Sequence, residues 1–397
     1  MDNGEEEYVI TISSMFKEKE QILLPTIVIH HIFEFLHNDF KILIHKEGLT
    51  DEDRSKILSI EIIMKIGMES YYKDILLSDK FKGKLCYEAC KRGYLSTLKW
   101  ARKKNFPWDS SECAKAAAFA GHLHILQWAR EHGCNWNAEI CASAALGGHL
   151  HILQWARHNG CPWTSTTCNA AAFGGHLSTL QWARNNGCDW DSDTCRAAAA
   201  GGHLDCLIWA RERGCDWTSQ TCTNAAKAGH LHILQWARMH GCNWDSDTCN
   251  AAAFGGHLST LQWAHQNGCD WGKETCSAAA GGGHLDCLKW ARESGCDWGG
   301  ETCSAAASRG HLDCLKWARK HGCPWDSETC KAAAREGHLD CLEWAKKHNC
   351  PWKQNPKSSK YPAVNEWIKN NFNPDGTPKR DGTKNKDGTP LKKKNKN

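Results

Sequence analysis

Residues 194–217 read TCRAAAAGGHLDCLIWARERGCDW, and this stretch is one copy of a pattern that runs through most of the chain. Its Gly-His-Leu triplet recurs at a constant interval, from Gly121 to Gly148 and onward to Gly337, and a degenerate Gly-Tyr-Leu copy begins at Gly93. Self-similarity at a fixed period is the signature of a repeat architecture. The sequence therefore predicts ten stacked units over residues 84–352.

Each unit predicts a pair of short helices separated by a glycine break. The first segment is dominated by alanine, the best helix former, and in many units it follows an Asp-Ser pair, such as the one at Asp191, that suits an N-cap. The second segment places Leu204, Leu207 and Ala210 on one face. It ends at Gly214, a natural C′ residue. Helices of about 8 to 11 residues do not persist alone in water, so the units must stack to bury their apolar faces.

The 21 tryptophans predict how the units pack. One column lies in the second helix, from Trp100 to Trp344, and another lies in the following turn, from Trp108 to Trp352. Alanine rows would let the first helices approach closely, while the two tryptophan columns would fill the space between units. We therefore expect these tryptophans to serve packing rather than ligand binding.

The 24 cysteines also fall into columns: nine in the Gly-Cys turn, ten near the start of the first helix, four in the second helix, and Cys90. A turn cysteine and the next first-helix cysteine form Cys-x6-Cys, and each Gly-His-Leu adds a histidine, which raises a zinc hypothesis. Structural zinc sites usually use Cys-x2–4-Cys spacing instead. We predict small buried thiols, histidines that make local hydrogen bonds, and no metal or other cofactor.

Composition excludes several classes of protein. The chain has 397 residues, of which 41% are hydrophobic and 24% charged, and no stretch approaches the roughly 18 apolar residues of a membrane span. The acidic N-terminus is unlike a secretory signal, so we expect an intracellular protein, cytoplasmic with a nuclear alternative. Every candidate cysteine or histidine nucleophile is one of many copies, and no phosphate-binding glycine loop occurs, so the chain is not expected to be an enzyme.

Charge separates the repeats from the C-terminal end. Residues 86–352 carry 26 basic and 25 acidic side chains, whereas residues 353–397 carry 12 and 4. The neutral middle argues against a helical-repeat reader of nucleic acid, which needs a basic stripe. Residues 353–373 predict a capping helix in which Val364, Trp367 and Ile368 cover the last unit. Residues 374–397 predict a disordered basic tail, with a nuclear address or a nucleic-acid contact as alternatives.

The unit resembles an ankyrin repeat. The family's Thr-Pro start becomes Thr-Cys, its alanine pair and Gly-His-Leu are retained at residues 171–177, AAFGGHL, and its Gly-Ala-Asp turn becomes GCD at residues 187–189. The unit is several residues shorter than the family's unit of about 33, so the projecting β-hairpin fingers are expected to be absent. Such short units rich in tryptophan and cysteine are similar to those of large DNA viruses and some protists.

The resemblance implies an all-α, ankyrin-like helical-repeat solenoid that is non-catalytic and binds a partner protein on the concave face of its first helices. It is expected to be a monomer. An alternative is that the phenylalanines on this face fold back onto adjacent units. The predicted partner-binding residues are Phe119, Leu146, Phe173, Arg196, Lys227, Phe254, Lys331 and Arg335.

The N-terminal segment departs from the repeat. After a flexible stretch over residues 1–20, residues 22–43 contain Leu-Pro followed seven residues later by Ile-Phe-x-Phe-Leu, which resembles the start of an F-box. That resemblance implies a helical module over residues 21–83 that docks on a Skp-type adaptor of a cullin ubiquitin ligase. The alternative is a plain cap for the first unit. The adaptor-docking residues implied are Leu24, Pro25, Ile32, Phe33 and Leu36.

These expectations leave four functions open. The first is a substrate receptor of a Skp/cullin/F-box-type ligase, and the second is a plain ankyrin scaffold without ligase coupling. A nucleic-acid-binding repeat and a zinc-loaded repeat are the other two.

Overall fold

A computed structural model of the chain describes residues 79–351 and 359–371, and all regular secondary structure within these ranges is α-helical. The adaptor-docking residues Leu24, Pro25, Ile32, Phe33 and Leu36, like the basic tail over 374–397, lie outside the described residues. None of the helices in the described ranges is both long and apolar enough to cross a bilayer.

The chain divides into two compact units, Met1–Asp109 and Ser110–Asn397. In the first unit the structure describes α1 (Asp79–Arg92) and α2 (Leu95–Lys103), a helix pair joined at Gly93. Helix α1 thus begins ahead of residue 84, where the sequence pattern starts. The ring of Trp100 in α2 contacts Phe106 edge to face at 5.3 Å, which closes this pair.

The second unit contains nine further helix pairs and one C-terminal helix. The first helices of the pairs are α3 (Ser110–Ala120), α5 (Ala138–Leu146), α7 (Ser165–Phe173), α9 (Ser192–Gly201), α11 (Ser219–Ala228), α13 (Ser246–Gly255), α15 (Lys273–Gly282), α17 (Gly300–Ser308) and α19 (Ser327–Glu336). The second helices are α4 (Leu123–Glu131), α6 (Leu150–His158), α8 (Leu177–Asn185), α10 (Leu204–Glu212), α12 (Leu231–Met239), α14 (Leu258–Gln266), α16 (Leu285–Glu293), α18 (Leu312–Lys320) and α20 (Leu339–Lys347). The C-terminal helix is α21 (Pro362–Asn371).

In the second compact unit, each helix pair packs against the next pair along the chain. First helices pack closely along one another, whereas neighbouring second helices approach at few positions. The cause is side-chain size, because residues such as Cys195, Ala198 and Ala199 are fully buried and keep the first helices close together. The prediction of an all-α helical-repeat solenoid is confirmed.

Helix boundaries follow the predicted signals. In α9 the side chain of Asp191 accepts a hydrogen bond from the backbone N–H of Asp193 at 2.9 Å, and Asp245 and Asp326 cap α13 and α19 in the same way. Second helices end as in α10, where the backbone N–H of Cys215 donates to Ala210 at 3.0 Å and Gly214 has φ 80°.

The histidine of Gly-His-Leu holds neighbouring units together. Nε2 of His149 lies 3.0 Å from the backbone oxygen of Phe119, which belongs to the preceding pair, and His257 makes the same contact with Lys227 at 3.1 Å. Each such imidazole also covers the glycine of the preceding Gly-His-Leu triplet, as His149 covers Gly121. The prediction of local hydrogen bonds was wrong, because the partner is an unpaired carbonyl at the end of the previous first helix.

Tryptophans bridge the gap between second helices. From Trp136 to Trp325, each turn tryptophan contacts the second-helix tryptophan of the next pair, as in Trp190 and Trp209, whose ring centroids lie 5.6 Å apart. An arginine of the preceding second helix covers the turn ring, and the Arg184 guanidinium lies 4.6 Å from the centroid of Trp190. The rings fill the space between units as predicted, yet in these columns only Trp100 and Trp128, of the residues described, are buried. The others are half-buried.

All 24 cysteines are buried and none forms a disulfide, which confirms the prediction of buried thiols. The turn thiol of Cys215 donates to the backbone oxygen of Asp191 at 3.2 Å and so ties the turn to the N-cap of the same unit. Within a unit the first-helix cysteine faces the turn cysteine that follows it, as Cys195 faces Cys215, rather than the Cys-x6-Cys partner seen in the sequence. The hydrogen bond with Cys215, together with burial, raises the pKa of Cys195.

Helix α21 lies against the last helix pair. Its Val364 and Ile368 are buried, and the Tyr361 ring lies over Gly337, whereas a histidine lies over the equivalent glycine of the units from Gly121 to Gly310. The hydroxyl of Ser359 donates to the backbone oxygen of Ala334 at 2.9 Å. The ring of Trp367 lies 5.5 Å from Nζ of Lys346.

Candidate protein-binding surface

The exposed face of the first helices carries three rows of variable side chains. The helix-end row, two residues before each Gly-His-Leu, contains Phe119, Leu146, Phe173, Ala200, Lys227, Phe254, Gly281, Ser308 and Arg335. The middle row, four residues earlier, contains Lys115, Ala142, Asn169, Arg196, Thr223, Asn250, Ser277, Ser304 and Lys331. The acidic row, in the first turn, contains Glu112, Glu139, Thr166, Asp193, Gln220, Asp247, Glu274, Glu301 and Glu328.

The helix-end row begins with an apolar stretch. Phe119 is 50% exposed and Phe173 is 49% exposed, and between them Leu146 is half-buried. The other exposed large hydrophobic residues in the described ranges, Tyr87 and Met239, lie outside this row. Since the two preceding alanines of each helix face the core, helical geometry turns the next side chain outward.

The row changes character after Phe173. Ala200 and exposed Lys227 follow, and then Phe254 is covered by the Arg309 guanidinium at 4.9 Å from the ring centroid. Arg309 reaches back two units across Gly281, which has no side chain to block it, and its Cδ would lie 4.0 Å from a Cβ at that position. Phe254 therefore folds into a contact with a later unit, whereas Phe119 and Phe173 show no stacked ring or cation in the described residues.

Some predicted contact residues are held by partners within their own helix. Arg196 pairs with Asp193 at 2.9 Å, and its hydrogen bond holds the pKa of that carboxyl below its usual value. Lys331 pairs with Glu328 at 2.7 Å. The last member of the helix-end row, Arg335, is exposed and pairs with Glu336 at 2.9 Å. These are solvent-facing ion pairs, which contribute little to stability and can exchange partners.

Asparagines of the middle row connect units. The hydroxyl of Thr194 donates to Oδ1 of Asn169 at 2.5 Å, and Thr275 donates to Asn250 at 2.7 Å, each across a unit boundary. Where the middle row offers no acceptor, as at Ala142, the buried hydroxyl of Thr167 has no hydrogen-bond partner. These asparagines are therefore packing residues, although the sequence groups them with the variable positions.

The contact residues predicted from the sequence include no member of the acidic row. Lys115 bridges Glu112 at 2.5 Å and Glu139 of the next unit at 2.9 Å. The hydrogen bonds that Lys115 donates to the two carboxylates raise its pKa, and the bond to Glu139 lowers the pKa of that carboxyl. The sequence signal for this row is the carboxylate that recurs in the first turn of most first helices. Its negative charge there interacts favourably with the helix dipole.

Every cysteine of the chain lies within the described ranges. No cluster of three or more His, Cys, Asp or Glu side chains placed to hold a metal ion occurs in 79–351 or 359–371. Burial raises the pKa of the second-helix thiol of Cys206 to about 12, and it raises those of Cys287, Cys314 and Cys341 to about 11. These thiols are protonated at neutral pH and are poor nucleophiles and ligands.

Comparison with known proteins identified no family. No protein-family model matches the chain, and no curated protein matches it. Among solved structures, the human ASB11 ankyrin repeat domain is 14% identical to it, with a TM-score of 0.36, and the match covers 45% of this chain and 98% of that domain. The assignment of a helical-repeat architecture rests on the helix pairs themselves.

Proposed function

We propose that this chain is a non-catalytic scaffold that captures a partner protein on the exposed face of its first helices. The observation that carries the proposal is the solvent-exposed pair Phe119 and Phe173, which lie in one row with Leu146 between them. Exposed aromatic residues grouped in one place are typical of protein-binding sites. The predicted contacts Arg196, Lys227, Lys331 and Arg335 lie farther along the same face and would add polar contacts with a larger partner. Phe254, whose ring is covered by Arg309, is not part of the proposed surface.

Affinity capture from cell extract tests this proposal. A double variant, Phe119→Ser with Phe173→Ser, should lose a partner that the parent chain retains, because the change removes the apolar contact area and alters only exposed side chains. Phe254→Ser is the matched control, since the same residue type in the same row is covered by Arg309. Equal recovery of every captured protein by all three chains would contradict the proposal.

A finer proposal concerns residues 21–83, which would connect the captured protein to a ubiquitin ligase. Its support is the Leu24-Pro25 pair followed by Ile32, Phe33 and Leu36, apolar residues at helical spacing after a proline that can open a helix. Leu24→Ala with Pro25→Ala should abolish copurification of a Skp-type adaptor and leave partner capture intact. If no adaptor copurifies with the parent chain either, a plain scaffold is the better description.

The basic tail offers a separate test for nucleic acid. Residues 353–397 hold the positive surplus of the chain, whereas residues 86–352 are nearly neutral. We expect RNA retention, if measured, to disappear after removal of residues 375–397. Unchanged retention would point to the repeats instead. We also propose an intracellular site of action, since 24 buried free thiols suit a reducing compartment.

A further inference from the structure

We propose that the partner docks as an amphipathic α-helix laid along Phe119, Leu146 and Phe173, with its basic margin towards the acidic row. This inference rests on the proposed function and names the chemistry of the partner. The contact surface is confined to α3, α5 and α7, the first three first helices of the second compact unit.

Repeat spacing favours a helical ligand. Packed helices lie about 8–10 Å apart, so the three side chains of the row are spaced at about that interval. Seven residues of α-helix rise about 10.5 Å, so side chains at i, i+7 and i+14 of a bound helix recur at nearly the same interval as the side chains of the row. Alternate side chains of an extended strand repeat about every 7 Å and fall out of register after one unit.

The polarity of the surface also favours a helical ligand. A strand or polyproline ligand leaves its backbone N–H and C=O groups unpaired and needs donors or acceptors beside the apolar row. Beside the row, Ala142 offers no polar group, Lys115 is held by Glu112 and Glu139, and Oδ1 of Asn169 already accepts from Thr194. A helix satisfies its own backbone groups and needs only an apolar surface.

The charge of the surface indicates that the partner is basic at this edge. Over α3, α5 and α7 the charged side chains are Glu112, Lys115 and Glu139, which sum to a formal charge of −1, and α7 carries none. The two carboxylates are 54% and 62% exposed, whereas the lysine between them is 23% exposed. A ligand with lysine or arginine along the margin of its apolar stripe would complement this edge.

The apolar surface ends after Phe173. Beyond Phe173 the row continues as Ala200 and Lys227, which remove the apolar contact. At Phe254 the ring is already covered by Arg309. A helix of about three to four turns therefore suffices, and residues beyond α9 are not needed for docking.

Selection from a displayed library of random 20-residue peptides tests the proposal on the full chain, with counter-selection against the Phe119→Ser/Phe173→Ser variant. The enriched peptides should carry apolar residues at spacings of three, four and seven, with basic residues beside them. As synthetic peptides they should become helical on binding by circular dichroism. Their affinity, measured by fluorescence anisotropy, should fall about tenfold or more in the double variant.

Three controls make the outcome decisive. Phe254→Ser should bind with unchanged affinity, the double variant should keep the parent's helical content and thermal midpoint, and Glu112→Gln with Glu139→Gln should weaken binding of the basic peptides. Enriched peptides that depend on Phe119 and Phe173 but bind as extended or proline-rich chains would overturn the helix proposal and leave the proposed function intact. Failure to enrich any peptide sensitive to these residues would overturn both.

Discussion

Glycine occupies two columns of the repeat under different constraints. Gly202, in Gly-His-Leu, has φ 88°, and a Cβ there would lie 2.7 Å from Cε1 of His230. Gly214, in the turn, has φ 80°, and a Cβ there would meet nothing within 4 Å. Two non-glycine residues with positive φ, Asn105 and Asn349, stand in the turn column. The first column is restricted by packing and conformation, and the second by conformation alone.

Substitutions separate these two constraints. Gly214→Ala should lower the free energy of unfolding by about 1–2 kcal/mol, the cost of a left-handed conformation. Gly214→Asn should cost less, because asparagine tolerates that conformation. Gly202→Ala should cost about 3 kcal/mol or more, since the His230 ring must also move. Urea denaturation followed by circular dichroism measures all three, and equal losses at the two glycines would refute the packing argument.

His265 occupies a position of the arginine column, and this departure predicts a stabilising change. His265 stacks on Trp271 at 3.7 Å between ring centroids, and its Nδ1 is buried without a hydrogen-bond partner. The equivalent Arg238 lies 4.2 Å over Trp244 and donates to the backbone oxygen of Cys242 at 2.5 Å. His265→Arg should therefore raise stability by about 0.5–1 kcal/mol.

The reverse change, Arg238→His, is the control for that substitution. It should lower stability, because it removes the hydrogen bond to the turn carbonyl and buries an imidazole nitrogen that has no partner. Thermal unfolding midpoints of the two single variants should move in opposite directions. A shift of both in the same direction would show that the arginine contacts do not set stability here.

At the scale of helices, the boundary between units holds the polar contacts that are sensitive to pH. His149, His230 and His311 each lie between two units, and burial lowers the pKa of each below the ordinary 6.5. The carbonyl facing each ring raises the pKa but does not outweigh burial. The neutral imidazole is therefore the form that the stacked helices favour.

Stability should consequently fall as the pH drops through about 6.5, because the unfolded chain then binds more protons than the folded one. Above that pH the contribution of these histidines is fully present. Urea midpoints measured at pH 7.5, 6.5 and 5.5 test the trend. Combined His149→Gln, His230→Gln and His311→Gln changes should flatten the part of the profile between pH 6.5 and 5.5, and an unaltered slope would assign the pH dependence to other groups.

At the scale of the whole molecule, the contacts of each helix pair are mainly with the adjacent pairs. The helix contacts of the second compact unit join consecutive pairs, and the hydrogen bonds of His149 and Thr194 likewise reach the adjacent pair. Arg309 on Phe254 is an exception that spans two units. Stability should therefore be close to a sum of unit and interface contributions.

Excision of one full period tests this architecture. Removing residues 219–245 joins Thr218 to Ser246 and deletes α11 and α12 while preserving the register. The shortened chain should remain folded, with the same helical content per residue and a somewhat lower urea midpoint, and it should retain the apolar row. Removing only residues 219–230 should abolish cooperative unfolding, because it breaks the register. Collapse of both chains would contradict a nearest-neighbour stack.

The residues of the repeat alone were sufficient to predict the helix pairs, their ends at glycine and their aspartate caps. These features depend on local conformational preference, which a repeated unit displays many times over. The predicted partner surface stays a prediction. The sequence did place Phe119, Phe173 and Phe254 in one row, but identical residues there gave no reason to expect different environments.

Only the tertiary structure decided which of those rings is covered. Arg309 reaches Phe254 because Gly281 leaves space between them, a relation between distant parts of the chain that depends on how the units stack. The same holds for His149, whose partner Phe119 belongs to the preceding unit, and for Cys195, whose partner Cys215 follows in the turn. Local preference sets where a helix starts and ends, whereas the distance between helices sets which side chains meet.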